Sequence, residues 1–345
     1  MSGLVSRRQF LAGGAVLAAG AAVGGCGDPA APVADGRQGV REVTVLTGAG
    51  FQGREAPLFV ASVKGWLADE GLTVQVVPGK GTGENLKTLA AGRATFATLD
   101  VSGAMIEFMR PGGIRDFTLT GVLHQRNLAC FVALAESGIT TPRDLADRTL
   151  SFIPGGINKD LFATYAKLAQ FDASKVVWVG NPNPQQHVTM LAARQVDAIS
   201  QFVPAVEQVK AVTGKPVTVL PFTDVIGDLY GSAIGVTTQT ARTSPDLVRG
   251  FNRALRKGLQ WTIDHPDEAA QIYADQDQTK GQPNAAAAAK AEIEGMTGYV
   301  KGIGDTPLGM FDPLRAARNI GILQGAGTIP DGLTPDQIIT LDLAG

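Results

Sequence analysis

The chain has few cysteines and few histidines, and this scarcity excludes several kinds of chemistry. Its 345 residues include two cysteines and three histidines. Cys130 lies in the apolar run 128–134 and is predicted to be a small core side chain. If lipid attachment blocks the thiol of Cys26, Cys130 has no partner and no disulfide can form within the mature chain. The histidines have no metal-ligand spacing among themselves or with Cys130: His124, His187 and His265. We therefore expect no disulfide, no metal site and no cofactor.

The chain also lacks an excess of positive charge, which argues against a nucleic-acid partner. The formal net charge is -2, and Arg7 and Arg8 are the only charged residues before Cys26, so their removal leaves -4. Surfaces that bind nucleic acids are basic because they neutralise phosphates. A composition of 44% hydrophobic and 18% charged residues is instead typical of an ordinary globular protein.

The N-terminus has an apolar run over 11–23 that is too short and too rich in Ala and Gly for a transmembrane helix, which needs roughly 20 strongly apolar residues. The run follows the twin arginines, and small residues at its end precede Cys26. This pattern predicts a twin-arginine lipoprotein signal peptide over 1–25, lipid attachment at Cys26 and a flexible tether over 26–40. We expect the protein to be anchored to the outer face of the cytoplasmic membrane. The alternative is a plain secretory signal with an accidental cysteine.

Strand-like and helix-like segments alternate along the rest of the chain, which predicts an α/β protein with two Rossmann-like lobes. Over 300 residues remain after the signal, too many for one core of common size. The first lobe is expected over 41–125 and the second over 126–230, with a return to the first over 231–345. The expected strands are 42–47, 72–77, 94–99, 150–153, 176–179, 198–202 and 233–237; the expected helices are 57–70, 84–91, 104–109, 159–168, 186–193, 245–263 and 266–274.

One motif points to a different class of protein. Residues 48–53 form G-x-G-x-x-G directly after a predicted strand, as in dinucleotide-binding folds. Such a fold needs an acidic residue at the end of its second strand, and here that strand ends in Val77-Pro78-Gly79-Lys80. Pro57 also delays the following helix beyond the third glycine. We therefore do not expect a nicotinamide enzyme.

Short motifs in a fixed order resemble the solute-binding proteins of the NMT1/THI5 and SsuA-like group. They include Ala56-Pro57-Leu58-Phe59-Val60-Ala61, Lys64-Gly65-Trp66-Leu67, Leu89-Ala90-Ala91-Gly92-Arg93, Val196-Asp197-Ala198-Ile199, Asp228-Leu229-Tyr230-Gly231 and His265-Pro266-Asp267-Glu268-Ala269. The resemblance spans about 43–274, and the segment after Ala274 matches none of these motifs. It implies a type II periplasmic-binding fold, whose two lobes are joined by two crossings of the chain and close over a small molecule. It also implies an ABC permease and its ATPase as partners of a monomeric protein.

Polar and aromatic side chains at the predicted lobe edges are the candidate ligand contacts. A small-molecule pocket needs a few convergent polar groups among apolar walls, and aromatic faces suit a flat ligand. The candidates are Phe51, Gln52, Glu55, Thr82, Ser102, Gln125, Asn158, Asn183, Phe202 and Tyr230. Each type also has an ordinary structural role, since Thr and Ser cap helices, Asn stabilises turns and aromatic side chains fill cores.

The family implied by the resemblance serves importers of nitrate, sulfonates, taurine or the thiamine pyrimidine precursor. An anion would favour positive groups and free N–H donors at helix starts. If Glu55 points inward, a neutral or amine-bearing heterocycle such as the pyrimidine precursor fits better, and we favour this ligand class. Two alternatives are an exported receptor that reports ligand occupancy to a membrane sensor and a pyrimidine-synthesis enzyme. The enzymes of this group have a cysteine-rich motif that this chain lacks.

Overall fold

The structure, a computed structural model, describes residues 40–345, which form two five-stranded sheets with helices on their faces. The strands are β1 Arg41–Leu46, β2 Leu72–Val77, β3 Phe96–Asp100, β4 Thr118–Val122, β5 Ala129–Leu134, β6 Thr149–Phe152, β7 Val177–Gly180, β8 Ala198–Phe202, β9 Val217–Pro221 and β10 Ser232–Val236. The predictions for residues 1–39 lie outside the described residues; these are the signal peptide, the acylated Cys26 and nearly all of the tether.

The α-helices contain more of the described residues than the strands do. They are α1 Ala56–Val63, α2 Trp66–Asp69, α3 Thr82–Ala90, α4 Val101–Met109, α5 Ile157–Asp160, α6 Phe162–Leu168, α7 Pro184–Ala192, α8 Val206–Thr213, α9 Thr238–Thr243, α10 Pro245–Asp264, α11 Pro266–Ala274, α12 Ala285–Val300 and α13 Pro313–Ala326. Two short 3-10 turns, Gly53–Glu55 and Val203–Ala205, also matter for the site. Within residues 40–345, no helix has both the length and the apolarity needed to cross a membrane.

Each lobe is built on one sheet, and the two sheets have the same plan. The strand order is β2-β1-β3-β10-β4 in lobe I and β7-β6-β8-β5-β9 in lobe II. In each sheet one strand, β10 or β5, runs antiparallel to both of its neighbours. The chain passes between the lobes through residues 123–128 and again through 222–231. The predicted α/β class with two lobes and two crossings is confirmed.

Burial explains which segments became central strands. The sequence of β5, ACFVAL, is buried at every residue, because β5 lies between β8 and β9 with side chains covered on both faces. Cys130 is part of this strand and packs among apolar side chains, so its predicted role as a core side chain is confirmed. In lobe I, Phe96 of β3 stacks on Phe251 of α10 with 3.9 Å between ring centroids, which joins the sheet to the longest described helix.

Two predicted helices are interrupted in the structure. The helix expected over 57–70 divides into α1 and α2 at Gly65, whose φ of +80° is readily adopted only by glycine. The helix expected over 159–168 begins two residues earlier, at Ile157, and divides at Leu161. In both cases the apolar periodicity identified the helix, but backbone geometry set where it ends.

The C-terminal segment after Ala274, whose role the sequence left open, packs on both lobes. Helix α12 contacts the turn Gly53–Glu55 of lobe I and the turn Val203–Ala205 of lobe II. The fit is close: a Cβ on Gly53 would lie 2.5 Å from the Cα of Ala289 in α12. Helix α13 packs on α4 of lobe I and on α6 of lobe II. The segment therefore bridges the two halves.

Arg315 of α13 connects both crossings between the lobes. Its Nη1 donates to Gln125 Oε1 (3.2 Å) and its Nη2 to the Gln125 carbonyl in the first crossing. In the second crossing its Nε donates to the Asp228 carbonyl (3.1 Å), and its guanidinium lies 4.0 Å from the centroid of the Tyr230 ring. Asn319, one turn further along α13, accepts the Tyr230 N–H at 3.0 Å. The hinge segments are thus held together by a helix near the end of the chain.

Candidate ligand-binding site

The parallel strands β1 and β3 of lobe I and β6 and β8 of lobe II have their carboxyl ends where the two lobes contact each other. We call this region the interlobe junction and define it as residues 48–55, 98–102 and 123–127 of lobe I, residues 157–160 and 202–205 of lobe II, and helix α12. Helix α4 packs against α5 across it. Loops after parallel strands are the usual ligand sites of open α/β sheets, so the junction is the candidate ligand site.

A set of hydrogen bonds to Asn85 fixes the loop after β1. Its Nδ2 donates to the carbonyls of Thr47 (2.8 Å), Gly48 (3.2 Å) and Thr98 (3.1 Å), and its Oδ1 accepts the Lys80 N–H (3.0 Å). Gly79 fits here because it has no side chain: a Cβ would lie 1.8 Å from the Thr47 carbonyl oxygen. The glycine-rich segment 79–83 therefore shapes the junction by close backbone packing.

Arg54 is the central charged group of the junction. Its guanidinium lies 5.1 Å from the centroid of the Phe202 ring of lobe II, within the range of a cation–π contact. Its Nη1 also donates to Gln52 Oε1 (3.2 Å) in its own loop and forms an ion pair with Glu292 Oε2 (4.0 Å) of α12. Its Nε is 3.9 Å from Glu55 Oε1. One side chain thus contacts lobe I, lobe II and α12.

Two buried carboxyl groups share this single arginine. Glu55 is 4% exposed, and its Oε1 accepts the Gly48 N–H at 3.2 Å. Burial raises the pKa of Glu55 above its ordinary value, against the opposing effect of Arg54. Burial likewise raises the pKa of Glu292, whose Oε2 accepts the main-chain N–H of Arg54 at 3.3 Å. The low-dielectric surroundings disfavour the second negative charge, so the cluster is suited to a partner with N–H donors or a positive charge.

A third carboxyl group, Asp100, ends β3 and caps α4. It accepts hydrogen bonds from the Gly103 N–H (2.9 Å) and from Asn127 Nδ2 (3.2 Å). Burial nevertheless raises the pKa of Asp100 to about 7, and the charge of Asp160 on α5 acts in the same direction. Asp160 belongs to lobe II, so the two acidic groups lie on opposite sides of the junction. A donor placed between them would relieve their mutual repulsion.

Several buried polar atoms of lobe I have no hydrogen-bond partner among the described residues. They include Thr98 Oγ1, Ser102 Oγ and both ring nitrogens of His124. Burial lowers the pKa of His124 to about 3, and the charge of Arg54 acts in the same direction. His124 is therefore neutral at ordinary pH. Buried polar groups are nearly always paired, so these unpaired atoms of the junction are candidate positions for a ligand or a water.

The comparison with known proteins identifies the family. Residues 52–269 match the family model described as NMT1/THI5 like. The chain belongs to the NMT1/THI5-like family. The resemblance seen in the sequence is therefore confirmed.

Individual relatives are more distant and differ in what they do. The riboflavin-binding protein RibY of Chloroflexus aurantiacus is 29% identical over 245 residues, which cover 70% of this chain and 68% of RibY. The aliphatic sulphonate binding protein SsuA of Escherichia coli superposes with a TM-score of 0.66 at 15% identity, covering 87% of this chain and 92% of SsuA. The desulfurization enzyme DszB superposes with a TM-score of 0.58 at 16% identity, covering 88% and 98%. At these identities the structures establish the periplasmic-binding fold alone.

Eight of the ten sequence-predicted contact residues of this NMT1/THI5-like protein lie at or beside the junction: Gln125, Asn158 and a group of six near Arg54 and Asp100. Gln52, Glu55 and Phe202 surround Arg54. Phe51 is partly buried and packs on Phe59, with 6.1 Å between ring centroids. The other two lie beside Asp100: Thr82 Oγ1 accepts the Asp100 N–H at 3.0 Å, and Ser102 occupies the first turn of α4.

The side chains of the four residues outside this group of six have hydrogen-bond partners within the protein. Asn158 Nδ2 donates to two main-chain carbonyls, of Cys130 (3.0 Å) and Gln201 (2.9 Å), and so joins β5 to β8. Asn183 is exposed and caps α7 by accepting the Gln185 N–H at 3.0 Å. Gln125 Nε2 donates to the Met310 carbonyl (2.8 Å). The Tyr230 hydroxyl accepts the Asp312 N–H (2.8 Å). That these four residues contact a ligand stays a prediction, and the proposed site does not depend on them.

Sequence reasoning overlooked four groups that the structure brings to the junction. Glu292 is 238 residues from Arg54 in the chain, in a segment without a family motif. Thr98 is hidden inside a strand, and His124 was considered only as a metal ligand. Asp100 did carry a usable signal, because an aspartate between a buried strand and a helix lies at the strand end where α/β ligands bind.

Proposed function

We propose that this protein is the solute-binding component of an ABC importer, working outside the cytoplasmic membrane and attached to it through lipid on Cys26. Family membership and the two-lobed fold support the binding role. The twin-arginine pattern and the small residues before Cys26 support export and anchoring. The partners of a monomeric binding protein are then its ligand and the permease with its ATPase. The mildly acidic composition gives no support for a nucleic-acid partner.

For the ligand we propose a nitrogen heterocycle with N–H or amino donors, either the thiamine pyrimidine precursor or a related compound. The observation that carries this choice is the excess of buried acid: Glu55 and Glu292 share Arg54, and Asp100 lies nearby without a cation among its hydrogen-bond partners. Nitrate, taurine or another sulfonate would have to bind beside these carboxyl groups, which is unfavourable in a low-dielectric site. The relative RibY is named a riboflavin-binding protein, and riboflavin is also a nitrogen heterocycle.

Capture works by closure of the lobes over the ligand. A ligand that touches both lobes makes its full set of contacts only in the closed form, so it shifts the equilibrium towards that form. Arg54 and Phe202 supply such contacts from opposite lobes. The permease then recognises the closed form. A receptor that reports occupancy to a membrane sensor would close in the same way, and a transport assay in cells with and without the permease distinguishes the two.

The likeness to DszB raises the possibility of an enzyme, and the chemistry of the described residues favours a binding protein instead. Cys130, the free cysteine of this part of the chain, is fully buried in β5. Burial raises the pKa of its thiol, which suppresses the reactive thiolate. Within residues 40–345, no group of three or more His, Cys, Asp or Glu side chains is arranged to hold a metal. Turnover of a bound heterocycle would contradict the proposal.

A thermal-shift panel tests both the role and the ligand class. The mature domain is heated with the thiamine pyrimidine precursor, riboflavin, taurine, an alkanesulfonate or nitrate. A ligand present at 100 times its Kd stabilises the folded state by about 2.7 kcal/mol, enough to raise the melting temperature measurably. We expect a shift with at least one of the two heterocycles. A shift with the anions alone would overturn the ligand class, and no shift with any compound would count against the binding role.

Glu55→Gln provides a matched test of the acid-rich site. It removes the charge and keeps the shape, so it should weaken heterocycle binding about tenfold if the carboxylate pairs with a ligand donor. Glu84→Gln is the control, since Glu84 is exposed and pairs only with Lys87 on the surface of α3. Equal affinities of the two variants would contradict the assignment of Glu55.

A further inference from the structure

His124 is held rigidly where the first crossing leaves lobe I. Its main-chain N–H donates to the Ser232 carbonyl (3.1 Å), and its carbonyl accepts the Gly231 N–H (2.9 Å) from the second crossing. A Cβ on Gly231 would lie 2.7 Å from the Cβ of His124, so only glycine fits at this position of the second crossing. The imidazole is therefore attached to backbone that is hydrogen-bonded to the second crossing between the lobes.

The imidazole is buried without a hydrogen bond. His124 is 3% exposed, and neither ring nitrogen has a partner among the described residues. His187, equally buried, shows the ordinary arrangement: its Nδ1 pairs with Ser151 Oγ (2.7 Å) and its Nε2 with the Asn181 carbonyl (2.8 Å). Leaving a buried donor and a buried acceptor unpaired destabilises a fold. An unpaired buried group in a folded protein needs an explanation, and contact with a ligand is one such explanation.

The surroundings of His124 determine what it can recognise. Burial, and after it the positive charge of Arg54, lower the pKa of the imidazole and keep it neutral. A neutral imidazole has one N–H donor and one lone-pair acceptor, whereas a protonated one has two donors and suits an anion. A second unpaired group, Thr98 Oγ1, lies on the strand beside Gly48. A Cβ on Gly48 would lie 3.6 Å from Thr98 Cγ2 and 3.4 Å from Glu55 Oε1, so the two side chains flank one point of the loop.

We propose that His124 contacts the ligand and selects its polar edge, offering one donor and one acceptor to a heterocycle that has a neighbouring acceptor and donor. Edges of this kind are the lactam or imide group and the amino-substituted ring nitrogen. Thr98 and Glu55 lie within the same junction and add a hydroxyl and a carboxyl group. This inference rests on the proposed function, since it assigns the specificity of the same site.

The substitution His124→Leu separates a binding role from a structural one. It removes both unpaired nitrogens, so the ligand-free protein should melt at the same temperature as the wild type or higher. The affinity for the heterocycle, measured by calorimetry, should fall at least about tenfold because the ligand edge loses its partner. His124→Gln keeps one donor and one acceptor and should bind within a few-fold of the wild type. His187→Leu is the control: it leaves Ser151 and a carbonyl unpaired, so it should lower the melting temperature and leave the affinity unchanged.

A measurement on the unchanged protein guards against a variant that does not fold. With 15N-labelled histidine, a saturating heterocycle should shift the ring-nitrogen resonances of His124 by several ppm and leave those of His187 and His265 in place. Unchanged His124 resonances, or wild-type affinity in His124→Leu, would overturn the inference while leaving the proposed function intact. Failure of the wild type to bind either heterocycle would instead count against the proposed function itself.

Discussion

Replacing the buried Arg315 of α13 with methionine should destabilise the protein, because this side chain hydrogen-bonds to both crossings between the lobes. Methionine replaces the guanidinium over the Tyr230 ring with an apolar group and removes the donors to Gln125 Oε1, the Gln125 carbonyl and the Asp228 carbonyl. Arg315 is only 2% exposed, so water cannot easily replace these hydrogen bonds. Breaking a buried charged interaction by removing one partner costs about 3–5 kcal/mol. This is a large part of the 5–15 kcal/mol that is typical of a folded protein.

The matched control for this prediction is Arg318→Met, one turn away on the same helix. The Arg318 side chain is 53% exposed, and its Nε lies 3.1 Å from Asp228 Oδ2. An exposed ion pair contributes about 1 kcal/mol or less. In urea unfolding followed by tryptophan fluorescence, Arg315→Met should lower the midpoint by roughly 1 M or more, given a slope of about 3 kcal/mol per M, while Arg318→Met leaves it almost unchanged. Equal midpoints for the two variants would refute the role given to α13 at the hinge.

Two further predictions concern Asp100 and Asn158. The pKa of Asp100 is higher in the folded protein, at about 7, than its ordinary value of 3.8, so the folded state holds this proton more tightly and stability falls as pH rises from about 4 to about 7. Asp100→Asn, which cannot ionise, should therefore gain melting temperature relative to the wild type across that window, and a difference that is independent of pH would contradict the burial argument. Asn158→Ala leaves two main-chain carbonyls without their donor and should destabilise by about 1–3 kcal/mol. The exposed cap variant Asn183→Ala should cost about 1 kcal/mol or less, and an equal loss in both variants would contradict the buried bridging role of Asn158.

The sequence was most informative where structure is local. Strands such as β2 and β8 and helix α11 have the bounds that apolar periodicity and turn residues predict, because these signals act over a few residues. The break at Gly65 was missed because a glycine inside an apolar helical pattern can be accommodated or can end the helix. Strand β4 was missed as well, since the polar segment that precedes it obscures a run of only five buried residues.

The same distinction between local signals and long-range contacts applies to the candidate site. Gln52 and Glu55 could be predicted because a loop directly after a buried strand belongs to the ligand side of an α/β sheet. The hydrogen bonds of Gln125 and Tyr230 could not, since their partners, Met310 and Asp312, come from a distant segment near the end of the chain. Contacts between residues so far apart in sequence depend on the assembled fold, and a single sequence contains no local signal for them.

The most direct measurement of the central claim is hydrogen–deuterium exchange of the protein with and without whichever of the two heterocycles raises its melting temperature. If the ligand binds at the interlobe junction, amide exchange should slow together in residues 48–55, 98–102 and 123–127 of lobe I and in residues 202–205 of lobe II. Protection on both sides is required, because closure buries amides of both lobes around one ligand. Protection confined to one lobe, or to surfaces away from the junction, would contradict the account.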